Sequence, residues 1–388
     1  MASATPAAPT ELGVDYASPP GALLESILRV QGLSQSDLAD RTGLSTKYVN
    51  QLIKHHVTLS AETAVRLEAV TGVAAELWSR LEADYRAAEA RAERQAAADQ
   101  WLEWLDHFRL AELKSRGVIP SATPNSDTVV ALLQFFGISS PEAWDRVWRP
   151  SLTRFRQSPS FRPEIAPTTI WLRIGQRKAT KIDTKPYDPG ALVDLLPRLR
   201  RLTRAEPDAA LADLPDECAS AGVAVVYASE LDGCRASGAT WWARPDKAVI
   251  LLSNRGKRED RFWFSLFHGI GHLLKHAKRD TYLDQSGPES DKPPWDVAAP
   301  TSGFIDDGSR DSSIEREADA FASSTLIPEV DVPRVLAVRT ELDVHTLADH
   351  LDIAPGVVAG RWQFELKNYT KFNGLRRPLP SQPFTQLD

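Results

Sequence analysis

The chain has 388 residues, 42% hydrophobic and 25% charged, which is more than one core usually fills, so two or three domains are expected and a single small module is excluded. No apolar run nears the length a bilayer requires, and a formal net charge of -6 argues against coating nucleic acid wholesale while leaving room for one compact DNA-reading face. The first twenty residues lack a secretory signal and only Cys218 and Cys234 are available for redox chemistry, so a cytoplasmic protein without structural disulfides is expected.

Residues 1 to 18, rich in turn-formers, read as a disordered leader ending at Pro19-Pro20-Gly21. From Ala22 to about Tyr85, apolar-periodic segments with polar starts predict a compact domain of about five helices. Arg86 to His107 alternates Ala with Arg and Glu before Trp101, Trp104 and Leu105, the pattern of a solvated linker helix that docks at its far end. A loop is expected over residues 118 to 128, with helices from Val129 to Phe136 and from Ala143 to Arg156. The stretch from Arg146 to Arg204 is basic, with Arg177-Lys178 and Arg200-Arg201. It reads first as the solvated face of a connector and second as a phosphate-contacting surface.

The composition then changes. Val223 to Tyr227 and Ala248 to Leu252 predict strands, with Gly238 to Trp242 as a third. Trp241 and Trp242 read as core and rim of that sheet. Helices are predicted over Phe262 to Ala277 and Ser313 to Leu326. Between them, Asp280 to Asp311 is dense in Gly, Pro, Ser and Asp, and a mobile loop is expected. A last helical pair spans about Val330 to Gln363.

Leu33 to Leu52 reads as a capped helix, a turn at Gly43 and a second capped helix, with Ser34 and Ser45 at the N-cap positions. Leu38, Ala39, Val49 and Leu52 face inward. That leaves Thr46, Lys47, Asn50 and Gln51 projecting from the start of the second helix, beside Ser45, where side chains reach base edges in a major groove. Gln35 and its backbone would meet phosphate. Lys54, His55 and His56 read as solvated loop residues, with phosphate contacts as the alternative. A helical hairpin with no nucleic-acid role is the plain alternative for the whole segment. The pattern resembles the Cro/repressor-type helix-turn-helix, and Pro20-Gly21, Leu33-Ser34-Gln35 and the segment from Thr58 to Leu67 are similar to the HigA-type antitoxin repressors. This implies a double-stranded DNA operator as partner and a homodimer, since one such unit covers a half-site.

A second constellation lies in Phe264 to His276. His268 and His272, four apart, share one helical face and can bind one divalent ion, although such a pair is as readily structural. On a later helix Glu315 and Asp319 again share a face, suiting the carboxylate ligand and the orienting acid of a site built from two His and one Glu. His276 fits a supporting role better than ligation. His107, His345 and His350 have no partner at ligand spacing, and Cys234 is expected to be inert.

The two segments together resemble the ImmA/IrrE metallopeptidase family, whose pattern is H-E-x-G-H-x-x-x-H followed by E-x-E-A-N-x-F-A and a hydrophobic run ending in Pro. Here the segments are His268-Gly269-Ile270-Gly271-His272 with His276, and Glu315-Arg316-Glu317-Ala318-Asp319-Ala320-Phe321-Ala322 leading to Pro328. Ile353 to Gln363 is similar to that family's ending, and Trp171-Leu172-Arg173 resembles the connector of longer members. The resemblance implies a mostly α chain with a smaller α+β part. Its domains would be a helix-turn-helix at 19–85, a helical connector at 86–189, a zincin-like α+β domain with a small sheet at 190–365, and a tail at 366–388. It also implies a divalent metal, zinc first and manganese second, on His268, His272 and Glu315, with Asp319 and His276 in support.

Two departures bear on function. Asp319 stands where the family has Asn. Gly269 stands where the family has the glutamate that takes a proton from metal-bound water, a loss worth about a hundredfold to ten-thousandfold in rate. A glutamate at 269 would project from the face of His268 and His272, and Glu317, Glu259 or Asp260 are the nearby substitutes. The leading expectation is a DNA-binding regulator, an antitoxin-like repressor, whose metal-binding domain senses or binds a protein partner, a toxin or another repressor, without efficient hydrolysis. An active metal-dependent endopeptidase is the first alternative, and an interaction scaffold with a vestigial, empty site the second.

Overall fold

The computed structural model describes residues 18–153, 164–276, 282–285 and 310–385. The expected leader up to residue 17, and most of the expected loop before 310, lie outside them. The chain divides into two compact units, the first holding the described residues up to Glu103 together with Asn125–Val130, and the second the remainder.

The first unit is helical. It contains α1 (Pro20–Gln31), α2 (Gln35–Thr42), α3 (Thr46–Ile53), α4 (Ala61–Thr71) and α5 (Ala75–Ala98). Leu24, Leu28, Leu38, Val49, Leu67 and Trp78 form its core, so most of the apolar-periodic positions are buried, while Leu77 is exposed. Gly32, Gly43 and Gly72 end α1, α2 and α4 in the left-handed conformation that glycine adopts without strain. The sequence reading ends one helix near Tyr85 and starts another at Arg86. The structure runs α5 unbroken through both. Alanine-rich sequence with no Gly or Pro offers no stop, and Arg86 bonds Glu82 one turn back (2.8 Å) and Glu89 (2.7 Å) on the other side. A 3₁₀ segment, Asp99–His107, follows.

Next come α6 (Leu110–Ser115), α7 (Ser126–Phe136), α8 (Pro141–Thr153), α9 (Ile165–Thr180), α10 (Pro189–Leu202) and α11 (Pro207–Ala219). Trp104, Phe108, Phe136, Trp144 and Trp148 interlock mostly edge to face. Three strands appear where the sequence places them, as β1 (Val223–Tyr227), β2 (Ala236–Arg244) and β3 (Lys247–Leu252), followed by α12 (Glu259–Lys275). Trp241 is buried, while Trp242 is half-buried against Tyr187 at 4.8 Å. A fourth strand, β4 (Tyr282–Gln285), lies inside the expected loop. It pairs antiparallel with β2, giving a mixed sheet in the order β1-β3-β2-β4. The chain continues through α13 (Arg310–Leu326), α14 (Val332–Ala337), α15 (Glu341–Leu351) and α16 (Pro355–Leu366), three helices after α13 where two are expected. The protein is thus mostly helical with one small mixed sheet.

The basic stretch is not simply a solvated face. Trp171 on α9 is fully buried and donates to the Ala228 carbonyl, Lys178 donates to the Tyr227 carbonyl at 2.6 Å, and Gly175 lets α9 approach Leu251 of β3. Arg200 donates to Leu326 O (3.3 Å) and Leu351 O (3.0 Å), satisfying carbonyls at the C-termini of α13 and α15. The segment after α16 is also tied down. Arg376 bonds Asp260 at 2.9 Å and Arg377 bonds Glu259 at 2.6 Å, both carboxylates being buried in the first turn of α12.

Candidate functional site

In the first unit, Ser34 caps α2 through a reciprocal bond with Asp37, and the Ser45 hydroxyl accepts from the Tyr48 amide to cap α3. The Ser45 hydroxyl is therefore already engaged by backbone. Thr46 and Lys47 stand exposed on the first turn of α3, while Asn50, Gln51 and Gln35 are half-buried. The sequence gives Asn50 to bases and Gln35 to phosphate as separate contacts. In the structure they are joined, Asn50 Nδ2 donating to Gln35 Oε1 at 3.0 Å. Lys54 and His56 are exposed, as expected of loop residues. His55 is not free: its φ is 60°, it is half-buried, its ring lies 5.6 Å from Tyr85, and Gly21 leaves the space it fills.

In the second unit, α12 carries the histidines and α13 the carboxylates. The two helices meet at small residues. A Cβ at Gly271 would come within 3.2 Å of Ala318 Cα and 3.3 Å of its carbonyl, so glycine on one helix and a buried alanine on the other permit the close crossing. Gly271 serves that approach, which offsets its helix propensity penalty of about 1 kcal/mol. The crossing brings the predicted ligands together. His268 Nε2 lies 2.9 Å from His272 Nε2 and 3.2 Å from Glu315 Oε2, and His272 Nε2 lies 3.6 Å from Glu315 Oε1. Among the described residues this is the one cluster of three His, Cys, Asp or Glu that could hold a metal ion.

The outer nitrogens are held as well. The Asp319 carboxylate accepts from His268 Nδ1 at 2.8 Å, which leaves Nε2 of that ring as a lone pair. Glu317 accepts from His276 Nε2 at 3.0 Å, so with neutral rings His276 Nδ1 accepts from His272 Nδ1, also at 3.0 Å. The second inner Nε2 is then a lone pair too. Burial brings the His272 imidazole down to about 4, keeping it neutral. Three acceptor atoms thus converge with no hydrogen among them. Their spacings bracket the roughly 3.3 Å between ligands of a tetrahedral zinc ion, so these residues fit a divalent cation. His276 faces the back of His272 and stays outside the cluster.

Among the described residues, none of the three candidate substitutes stands beside the two Nε2 atoms. Glu259 and Asp260 are ion-paired with Arg377 and Arg376 at the far end of α12, and Glu317 is bonded to His276. Gly269 backs onto the sheet, against Thr240 and Ile250. His107 stacks on Trp144 at 6.3 Å, and His350 bonds Arg334. Burial pushes the Cys218 and Cys234 thiols up to about 12 and about 11, leaving both unreactive. Tyr282 escapes sequence reasoning: its ring stacks on His272 from a strand of four residues too short to show alternation.

Among the described residues, no helix is long and apolar enough to cross a membrane. A comparison with curated proteins found no match. Residues 26–78 match the helix-turn-helix family HTH_3, a span running from within α1 into α5 and enclosing the α2-turn-α3 pair, so the chain carries a helix-turn-helix domain there, which supports DNA binding.

Proposed function

We propose that this protein is a DNA-binding transcriptional regulator, an antitoxin-like repressor acting as a homodimer on an operator, with a metallopeptidase-like second unit. That unit holds a divalent cation, zinc first and manganese second, and uses it for sensing or for binding a protein partner such as a toxin, without efficient hydrolysis. The observation that carries the reading is the helix-turn-helix match at residues 26–78, within which the first turn of α3 presents Thr46 and Lys47 to solvent.

The convergent acceptor atoms of His268, His272 and Glu315 support the metal part. A bound divalent cation would supply Lewis acidity. Around it, Asp319 orients His268, and the His276–Glu317 pair orients His272. Among the described residues proton transfer is the step left without a group, since Gly269 has no side chain and Glu259, Asp260 and Glu317 are paired elsewhere. The reading is tested by measuring zinc content, binding to the protein's own promoter region, and cleavage of candidate partners with and without chelator. One equivalent of zinc, tight promoter binding and no cleavage are expected. Promoter binding no better than to random duplex overturns the repressor reading, and chelator-sensitive cleavage lost on Glu315→Ala overturns the non-hydrolytic one.

A further inference from the structure

Ile250 of β3, Thr240 of β2 and Tyr282 of β4 stand in register as one row across the sheet. The row runs beneath the turn of α12 that carries the two imidazoles. Tyr282 lies under His272, and Thr240 with Ile250 lies under Gly269. A Cβ built on Gly269 would sit 2.8 Å from Thr240 Oγ1, with Ile250 Cγ2 at 3.2 Å and Cδ1 at 3.4 Å. The first distance is shorter than real Cβ contacts.

Neither side can easily yield. Thr240 is 3% exposed and β-branched, so its side chain has few alternative rotamers. Its strand is hydrogen-bonded on both edges, to β3 and to β4, so the backbone cannot retreat without breaking a ladder. On the other side, α12 is held against α13 by the Gly271–Ala318 crossing. Any residue larger than glycine at 269 therefore meets the sheet before it reaches the ligands.

We infer that Thr240 is a specificity-determining residue of the candidate metal centre: from the sheet side it closes the position beside the two imidazoles, so that the centre accepts a cation but no proton acceptor at residue 269. The missing carboxylate is then a property of two elements, glycine on α12 and threonine on β2, and replacing the glycine alone does not restore it. The metal-centre part of this inference rests on the reading proposed above. The steric part stands without it.

A double-mutant cycle in the full chain tests the steric part, read as the thermal midpoint in chelator. Helix propensity alone would make Gly269→Ala stabilising. We expect the opposite in the otherwise unchanged chain, a lower midpoint, and expect that loss to vanish when Thr240→Ala is also present. Thr240→Val, which keeps the shape and removes the hydroxyl, retains the loss. An equal change from Gly269→Ala in the unchanged and Thr240→Ala backgrounds overturns the inference. The second measurement is zinc affinity. Gly269→Glu alone is expected to weaken zinc binding, and Gly269→Glu with Thr240→Ala to recover it at least tenfold; no recovery overturns the assignment of Thr240 as the closing residue. A starting protein that binds no zinc would refute the metal reading, while the chelator-based cycle would still decide the role of Thr240.

Discussion

The ring of Tyr282 lies 4.0 Å from the ring of His272, centroid to centroid, and within 9° of parallel to it. A flat ring on the sheet edge therefore fixes the plane of an imidazole whose Nε2 must point at Glu315. Tyr282→Ala is expected to lower zinc affinity about tenfold to a hundredfold, the usual effect of losing a group that orients a ligand. Tyr282→Phe keeps the stack and should keep the affinity. Competition titration with a chromogenic chelator distinguishes the two variants.

Asn50 and Gln35 are bonded to each other, so their effects on DNA binding should not add. Asn50→Ala is expected to weaken operator binding by about 1 to 3 kcal/mol. Gln35→Ala should weaken it too, and the pair should show a coupling of about 0.5 kcal/mol or more in a double-mutant cycle. Lys47→Ala should instead lower affinity for operator and random duplex alike and reduce the salt slope by about one. Fluorescence anisotropy over a salt series reads all three. Additive losses at positions 35 and 50 would mean that their hydrogen bond plays no part on DNA.

Removal of metal should be visible in stability. A ligand bound only by the folded state at a hundred times its dissociation constant stabilises by about 2.7 kcal/mol. Chelation should therefore lower the thermal midpoint of the starting protein and leave that of His268→Ala with His272→Ala unchanged. An equal fall in both would place the cation elsewhere, and no change in either would mean that no stabilising cation is bound.

The buried thiols give a pH dependence of definite sign. Burial raises Cys218 from 9.0 to about 12 and Cys234 from 9.0 to about 11. Between those values the unfolded chain has released protons that the folded chain still holds, so stability is full below about pH 9 and falls as pH rises toward 11 and 12. Replacing both cysteines by alanine should flatten that fall. At neutral pH neither thiol should react with a disulfide reagent until the chain unfolds.

Gly271→Val places branched carbon against the Ala318 backbone, where even a single Cβ would lie 3.2 Å from Cα. Overpacking of this kind costs about 1 to 3 kcal/mol, and forcing α12 from α13 should also separate Glu315 from the histidines. Denaturant unfolding and zinc content should fall together. Full zinc occupancy in a destabilised variant would show that the ligands tolerate a wider crossing.

Three strands, the capped α2 and α3 pair and the His268, His272 and Glu315 cluster are legible because each rests on a local signal: an apolar run between turn-formers, a serine before a periodic segment, a spacing of four on a helix. What the sequence could not provide was position across elements. Thr240 and Tyr282 look like ordinary strand and loop residues until the sheet register places them under Gly269 and His272. Arg200 and Lys178 read as surface charge because their partners are backbone carbonyls far along the chain. The unbroken length of α5 is not legible because the composition changes near Tyr85 while the helix does not.

The bonds from Arg376 and Arg377 to Asp260 and Glu259 bear on the order of events while the chain is being made. Until those two arginines have been synthesised, the first turn of the histidine helix carries two carboxylates into an apolar interior with no cation to meet them. Breaking a buried pair by removing one partner costs about 3 to 5 kcal/mol, so the helix is expected to be less stable under that condition. If the proposed centre takes up an ion, a product lacking these arginines is expected to bind it less well, because the helix that carries His268 and His272 is then held less firmly.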